Sequence, residues 1–312
     1  MSDTSERTVT QPEKFVFDER VDALSVRIVG GAVNVVGIEE GPSRVEITEL
    51  EGPPLKVQLH GSTLTVTYDD LPWKGLLKWL DRKGWKRHAV VSLAVPQGTS
   101  VEVGVVGAGA VISGISGPTS VQGVNGDTTL VGLTGSVKAS TVAGNVEAQS
   151  VSGDLRVNTV SGDLTVVEGS GSHVKADSVS GSIVLDLDPS AGADVRLTTV
   201  SGEIAIRIPE PGDARVEAST TSGPVSCAFD ELQVGGQWGA KRITGRIGRG
   251  GARLKATTVS GGIALLRRPP LDDMRGDTAE DAADVPEGPR GEAQGDTPGG
   301  SPGDTPSFRK DI

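Results

Sequence analysis

Small aliphatic residues alternate with polar ones along most of this chain, and from about residue 107 a glycine interrupts the alternation at a fixed interval. Gly117, Gly126, Gly135, Gly144, Gly153, Gly162 and Gly171 stand nine residues apart. The units then lengthen to ten or eleven at Gly181, Gly192, Gly202, Gly212 and Gly223. Strands alternate with period two, and nine is odd. Val142, Gly144, Val146 and Ala148 share one parity, Val151, Gly153, Leu155 and Val157 the other, and Val160, Gly162, Leu164 and Val166 return to the first. An unbroken strand would therefore send every second unit's aliphatics into water. One step per unit must reset the facing, near Gln149–Ser150 and near Asn158–Thr159. Each unit then supplies four inward positions and one corner. A recurring corner predicts a coil in which each strand lies on its equivalent in the previous turn: an all-β solenoid with an aliphatic interior. Glycine suits either a tight corner or a close backbone approach. The pattern leaves open where the sharper corner lies and whether two or three units complete a turn.

The flanking regions are less regular. Residues 15–70 read as strands separated by turns, including ALSVRIV, AVNVVGI, RVEITEL, LKVQLH and TLTVTY. An interruption at 71–88 precedes further strand in AVVSLAVPQGTSVEVGVV. A single unit buries too little to stand alone, so the coil needs covered ends. The 15–106 region is expected to close one end and 225–268 the other. Residues 1–14 are polar and read as disordered. The segment 269–312 is rich in Pro, Gly, Asp and Glu and cannot offset its ordering entropy. It is expected to be a disordered acidic tail.

The units TVSGDLTV, SVSGDLRV, TVSGEIAI and TVSGGIAL resemble those of the bacterial putative adhesin family, the toast-rack domain of unknown function. ALSVRIVGGAVNVVG, VSLAVPQGTSVEV and GARLKATTVSG extend the resemblance over about residues 15–268. It implies a single-chain right-handed coil, no known catalytic residue, and an association with envelope-stress modules near membrane segments.

Composition narrows the chemistry. Aromatic residues make up 3% of the chain, so the interior is built from Val, Ile, Leu, Ala and Thr. Cys227 is the single cysteine, which rules out an internal disulfide and reads as buried and inert. The polar opening MSDTSERTVTQPEKF has no apolar signal core, and no run reaches ~18 apolar residues, so a cytoplasmic protein is expected. The net charge is −11. Eleven acids against four bases after residue 268 account for −7 of it, leaving −4 for the remainder. General nucleic-acid binding is not expected.

A glycine-rich nonapeptide also suggests calcium β-rolls, in which aspartates recur in successive turns. Here the residue after the glycine is Asp at 127, 154 and 163, but Ser at 136, Asn at 145 and Ser at 182. His60, His88 and His173 are scattered without a partner at metal-ligand spacing. No base recurs beside the repeated serines, as a serine nucleophile requires. The reading is non-enzymatic, with no metal and no cofactor.

One segment differs in character: LPWKGLLKWLDRKGWKRHAV, residues 71–90. Pro72 is placed to open a helix. Trp73, Leu76, Leu77 and Leu80 would form one face, with Lys74, Lys78 and Arg82 opposite, while Trp79 and Trp85 lie off that stripe. Lys86 and Arg87 add charge near its end. The segment either caps the solenoid's open end or enters an anionic membrane interface. Its contact residues would be Trp73, Lys74, Leu76, Leu77, Lys78, Trp79, Leu80, Trp85, Lys86 and Arg87. The leading expectation is a solenoid scaffold or interaction module, cytoplasmic or peripheral to the inner membrane face, whose partner is a protein or anionic lipid. End-to-end self-assembly is the first alternative and carbohydrate binding the second.

Overall fold

A computed structural model of the chain describes residues 4–68, 87–187, 192–237 and 239–268. The regular structure among these residues is entirely β, in strands numbered β1 to β24 in chain order. Two nonapeptides make one coil. Thr128 pairs in parallel with Val146, and Val137 with Leu155, so equivalent strands recur every 18 residues. The spacing widens to 19 at Leu155–Val174 and to 21 at Ile183–Ile204, where the sequence units lengthen. Each coil contributes one strand to each of two ladders, A and B, around a single apolar core.

Ladder A runs in parallel through β6 (Thr63–Tyr68), the first halves of β3 (Ala23–Ile38) and β8 (Ser100–Ser113), and β9 (Thr119–Gly123). It continues through β11 (Val137–Thr141), β13 (Leu155–Thr159), β15 (His173–Asp177) and β17 (Asp194–Thr199). Ladder B runs through β7 (His88–Pro96), the second halves of β3 and β8, and β10 (Thr128–Val131). It continues through β12 (Val146–Gln149), β14 (Leu164–Gly169), β16 (Ile183–Leu187) and β18 (Ile204–Pro209).

Antiparallel strands close the N-terminal end. β5 (Leu55–His60) and β1 (Thr4–Val9) extend ladder A beyond β6, and β4 (Ser43–Glu51) and β2 (Glu13–Phe17) extend ladder B beyond β7. The N-terminal region thus both caps the coil and contributes parallel turns to it, and the cap starts earlier than residue 15: Thr4–Val9, expected to be disordered, is a strand because it pairs along all six residues with β5.

The C-terminal end departs from the expected order. β19 (Ala214–Thr220) and β20 (Val225–Cys227) form the outermost coil, although the chain continues beyond them. A hairpin of β21 (Leu232–Gln237) and β22 (Ala240–Ile247) covers β19 on ladder A. The chain then returns, and β23 (Ala252–Thr258) and β24 (Ile263–Arg268) slot between the β17–β18 coil and the β19–β20 coil. Residues 225–268 therefore do not simply sit at the end, because Leu254, Ala256, Ile263 and Leu265 fill the interior of that slot.

The two corners of each coil reset the facing by different means. At the corner after ladder B, Gly114, Gly132, Ser150 and Glu168 take up left-handed backbone with φ of 66°, 62°, 53° and 55°. That turn drives the next side chain inward, burying Ile115, Leu133 and Val151. The reset at Gln149–Ser150 is where the alternation places it. At the corner after ladder A the reset falls at Val160–Ser161, two residues beyond the expected Asn158–Thr159, because Thr159 itself points inward and is buried. Val142 and Val160, assigned inward by parity, are turned outward.

Glycine recurs for closeness rather than for turn geometry. None of the stacked corner glycines has left-handed φ. A Cβ on Gly144 would strike the carbonyl oxygen of Gly126, and one on Gly162 that of Gly144; the same collision repeats at Gly181, Gly202, Gly261 and Gly223. A second column joins Gly117, Gly135, Gly153 and Gly171. Gly192 and Gly212, read from spacing as members of the series, lie outside both columns. A hydroxyl three residues earlier holds the first corner closed. Thr141, Thr159, Ser178, Thr199, Thr220 and Thr258 accept the N–H of Gly144, Gly162, Gly181, Gly202, Gly223 and Gly261 at 2.9–3.2 Å. Buried and hydrogen-bonded, these hydroxyls carry no desolvation penalty.

Candidate functional site

The first column of corners begins beside the 71–88 segment. Of its predicted contact residues only Arg87 belongs to the described residues; Trp73, Lys74, Leu76, Leu77, Lys78, Trp79, Leu80, Trp85 and Lys86 lie outside them, so the choice between cap and membrane contact is not made there. The attachment points are defined. The chain leaves ladder A at Tyr68 and enters ladder B at His88, and between them β3 and β8 turn the same corner without interruption. The Arg87 guanidinium sits 5.4 Å from the centre of the Tyr68 ring, a cation–π contact joining the two ends. Tyr68 is buried, so this clasp is seated in the core. The carbonyl of Arg87 abuts Gly30, and that of Ala89 packs on Gly31, where a side chain would collide with it.

A row of valines follows the same corner. Val142, Val160, Val179, Val200 and Val259 occupy successive coils and are each 46–48% exposed. The serines after the last four reach along the stack: Ser161, Ser180, Ser201 and Ser260, themselves exposed, donate their hydroxyls to the carbonyls of Val142, Val160, Val179 and Val200 at 3.0–3.3 Å. The corner carbonyls are therefore satisfied by the coil's own serines while the valine methyls face out. The periodicity concealed this row, because parity assigned the valines to the core.

The residues weighed as calcium ligands have a structural task. Asp127 Oδ1 accepts the N–H of Asn145 at 2.9 Å, Asn145 Oδ1 that of Asp163 at 3.0 Å, and Asp163 Oδ1 that of Ser182 at 2.8 Å. Each side chain caps the next coil's backbone, a task that Asp and Asn share. Among the described residues no group of three or more His, Cys, Asp or Glu could hold a metal ion. His88 and His173 each meet a single carboxylate, Glu49 at 3.1 Å and Asp154 at 3.0 Å. Cys227 is half-buried rather than buried, because β20 is the outer edge of ladder B; its Sγ lies 3.5 Å from the Phe229 carbonyl. Two exposed charges are shifted by their contacts. The Asp194 carboxylate raises Arg196, and the Gly251 N–H holds the Asp213 carboxyl below the usual carboxylate range.

Two ladders, corner columns of glycine, and outward rows of repeated side chains define a β-solenoid whose surfaces, rather than an enclosed pocket, are its distinguishing features. Residues 53–266 match the family model Toastrack DUF4097, and the chain belongs to that family. No curated protein matches it. Among solved structures it is similar to a putative cell adhesion protein from Clostridium sporogenes, at 10% identity and a TM-score of 0.24, covering 86% of this chain and all of that one. It is also similar to a putative lipid binding protein from Parabacteroides distasonis, at 12% identity and a TM-score of 0.41, covering 83% of this chain and 97% of that one. Among the described residues no helix is long and apolar enough to cross a membrane.

Proposed function

We propose that this chain is a non-enzymatic solenoid interaction module, peripheral to the inner face of an anionic membrane and attached there through residues 71–88. The association with envelope-stress modules that the toast-rack resemblance implies is in keeping with this reading. The observation that carries the reading is the clasp between Tyr68 and Arg87. It joins residues 68 and 87, on either side of the tryptophan- and lysine-rich segment, at a corner that β3 and β8 turn without interruption. A contact element mounted this way can enter the headgroup region with its aromatic residues and meet anionic lipid with its basic ones, without disturbing a coil. The non-enzymatic part is supported by the serine hydroxyls, which are engaged on backbone carbonyls rather than on a base.

End-to-end assembly is the weaker reading. Its natural contact on ladder B would be β20, which spans only Val225–Cys227; very short edge strands are a device against edge pairing. Sedimentation of the full chain with anionic vesicles tests the membrane role. Wild type is expected in the pellet and the Trp73→Ala, Trp79→Ala, Trp85→Ala variant in the supernatant. If wild type itself stays in solution, membrane attachment is wrong.

A further inference from the structure

Lys138, Arg156, Lys175, Arg196 and Lys255 stand in one register row across β11, β13, β15, β17 and β23, each opposite the next. In the neighbouring row Arg253, Arg215 and Arg246 are directly opposed on β23, β19 and β22. All are outward positions on the solvent side of ladder A, each between two buried residues except Arg246, which has buried Ile247 on one side. The acids on this side are few. Asp177 engages Lys175 at 3.1 Å, Asp194 engages Arg196 at 2.7 Å, Asp154 faces His173, and Glu217 lies beyond Lys255. Among the described residues Lys138, Arg156, Arg215, Arg246, Arg253 and Lys255 have no ion-pair partner.

Like charges directly across a sheet repel, so a run of them lowers stability unless something anionic covers it. The chain order makes the run: β23 returns into the slot between β17 and β19, setting Lys255 opposite Arg196 and Arg253 opposite Arg215, while Asp194 and Glu217 stand on their other sides. We infer that this basic side of ladder A lies against anionic lipid headgroups, a reading that rests on the membrane-peripheral role proposed above. The patch extends in two dimensions and is open, which suits a charged plane better than a single bound anion. Strands β11, β13, β15, β17, β23, β19 and β22 carry no Phe, Tyr or Trp to stack on a base or a sugar, and their one imidazole, His173, is engaged by Asp154. From β6, where the tryptophan segment departs, β23 lies eight strands along ladder A, roughly 40 Å at the usual strand spacing. Contacts at both places would hold the solenoid's long axis parallel to the membrane, and each would raise the effective concentration of the other.

The test uses the full chain with phosphatidylcholine vesicles, with and without phosphatidylserine, at low and high salt. An Arg156→Gln, Arg215→Gln, Arg253→Gln, Lys255→Gln variant removes only exposed side chains, and its far-UV circular dichroism should match wild type. Its affinity for phosphatidylserine vesicles is expected to fall roughly a hundredfold or more and to lose most of its salt dependence. The triple tryptophan variant should instead lose the binding that survives high salt. If the glutamine variant binds as wild type does while the tryptophan variant does not, the lipid-facing role of ladder A is overturned and the segment alone carries attachment. If wild type ignores vesicles but binds inorganic polyphosphate through the same arginines, the surface serves a soluble polyanion and the membrane placement is overturned.

Discussion

Val151 and Val160 stand nine residues apart at the same letter of the repeat, yet Val151 is 2% exposed and Val160 is 46% exposed. The difference comes from the residue before each. Ser150 has left-handed backbone and swings Val151 into the core, whereas Thr159 keeps its own side chain inside and turns Val160 out.

Truncating the two valines should therefore have unequal effects. Val151→Ala is expected to cost about 2 kcal/mol, the worth of a buried valine side chain. Val160→Ala should stay within about 0.5 kcal/mol of wild type, as surface changes do. Chemical denaturation of both variants checks this, and equal losses would mean that the two corners are alike.

The corner columns make a second contrast among glycines. Gly162→Ala would drive a methyl into the Gly144 carbonyl, a backbone group fixed in the stack, and against the Thr159 hydroxyl that closes the corner. A loss of about 3 kcal/mol is expected, at the upper end of overpacking. Gly132→Ala has open space around its Cβ and meets only the left-handed backbone at φ 62°, for a loss of about 1 kcal/mol. Ser150 and Glu168 already occupy the equivalent place in later coils, so that corner accepts side chains. Thermal unfolding of the pair decides whether closeness or φ selects the glycine.

Asp213 supplies a pH-dependent contact at the returning C-terminal coil. Its carboxylate accepts the N–H of Gly251 at 2.9 Å, which lowers its pKa in the folded state. A depressed folded pKa stabilises the fold above the unfolded value of ~3.9, and the contribution disappears as pH falls through the folded value. Asp213→Ala should therefore unfold at a lower temperature than wild type at pH 7. The two curves should converge under acid conditions below pH ~3.9. A difference that persists in acid would assign the effect to packing rather than to ionisation.

Much of the candidate site could not be read along the chain. The tryptophan-rich segment was visible because Trp73, Trp79 and Trp85 interrupt an otherwise aromatic-poor sequence. The valine row was hidden because parity counts steps and cannot register a backbone turn that changes which way the next side chain points. The basic surface was hidden because each strand contributes only one or two cations, separated along the sequence by acids and by whole coils.

The nonapeptide period by itself determined that this protein coils, since an odd repeat of alternating residues can bury its aliphatics only by turning once per unit. It also determined that the core is thin and aliphatic. Tertiary structure alone decided that two units close a turn, that each corner resets in its own way, and that β23 returns to stack beside β17. Those outcomes depend on which backbone lies against which, and parallel stacking joins residues eighteen to seventy-seven positions apart, a distance over which local pattern carries no information about contact.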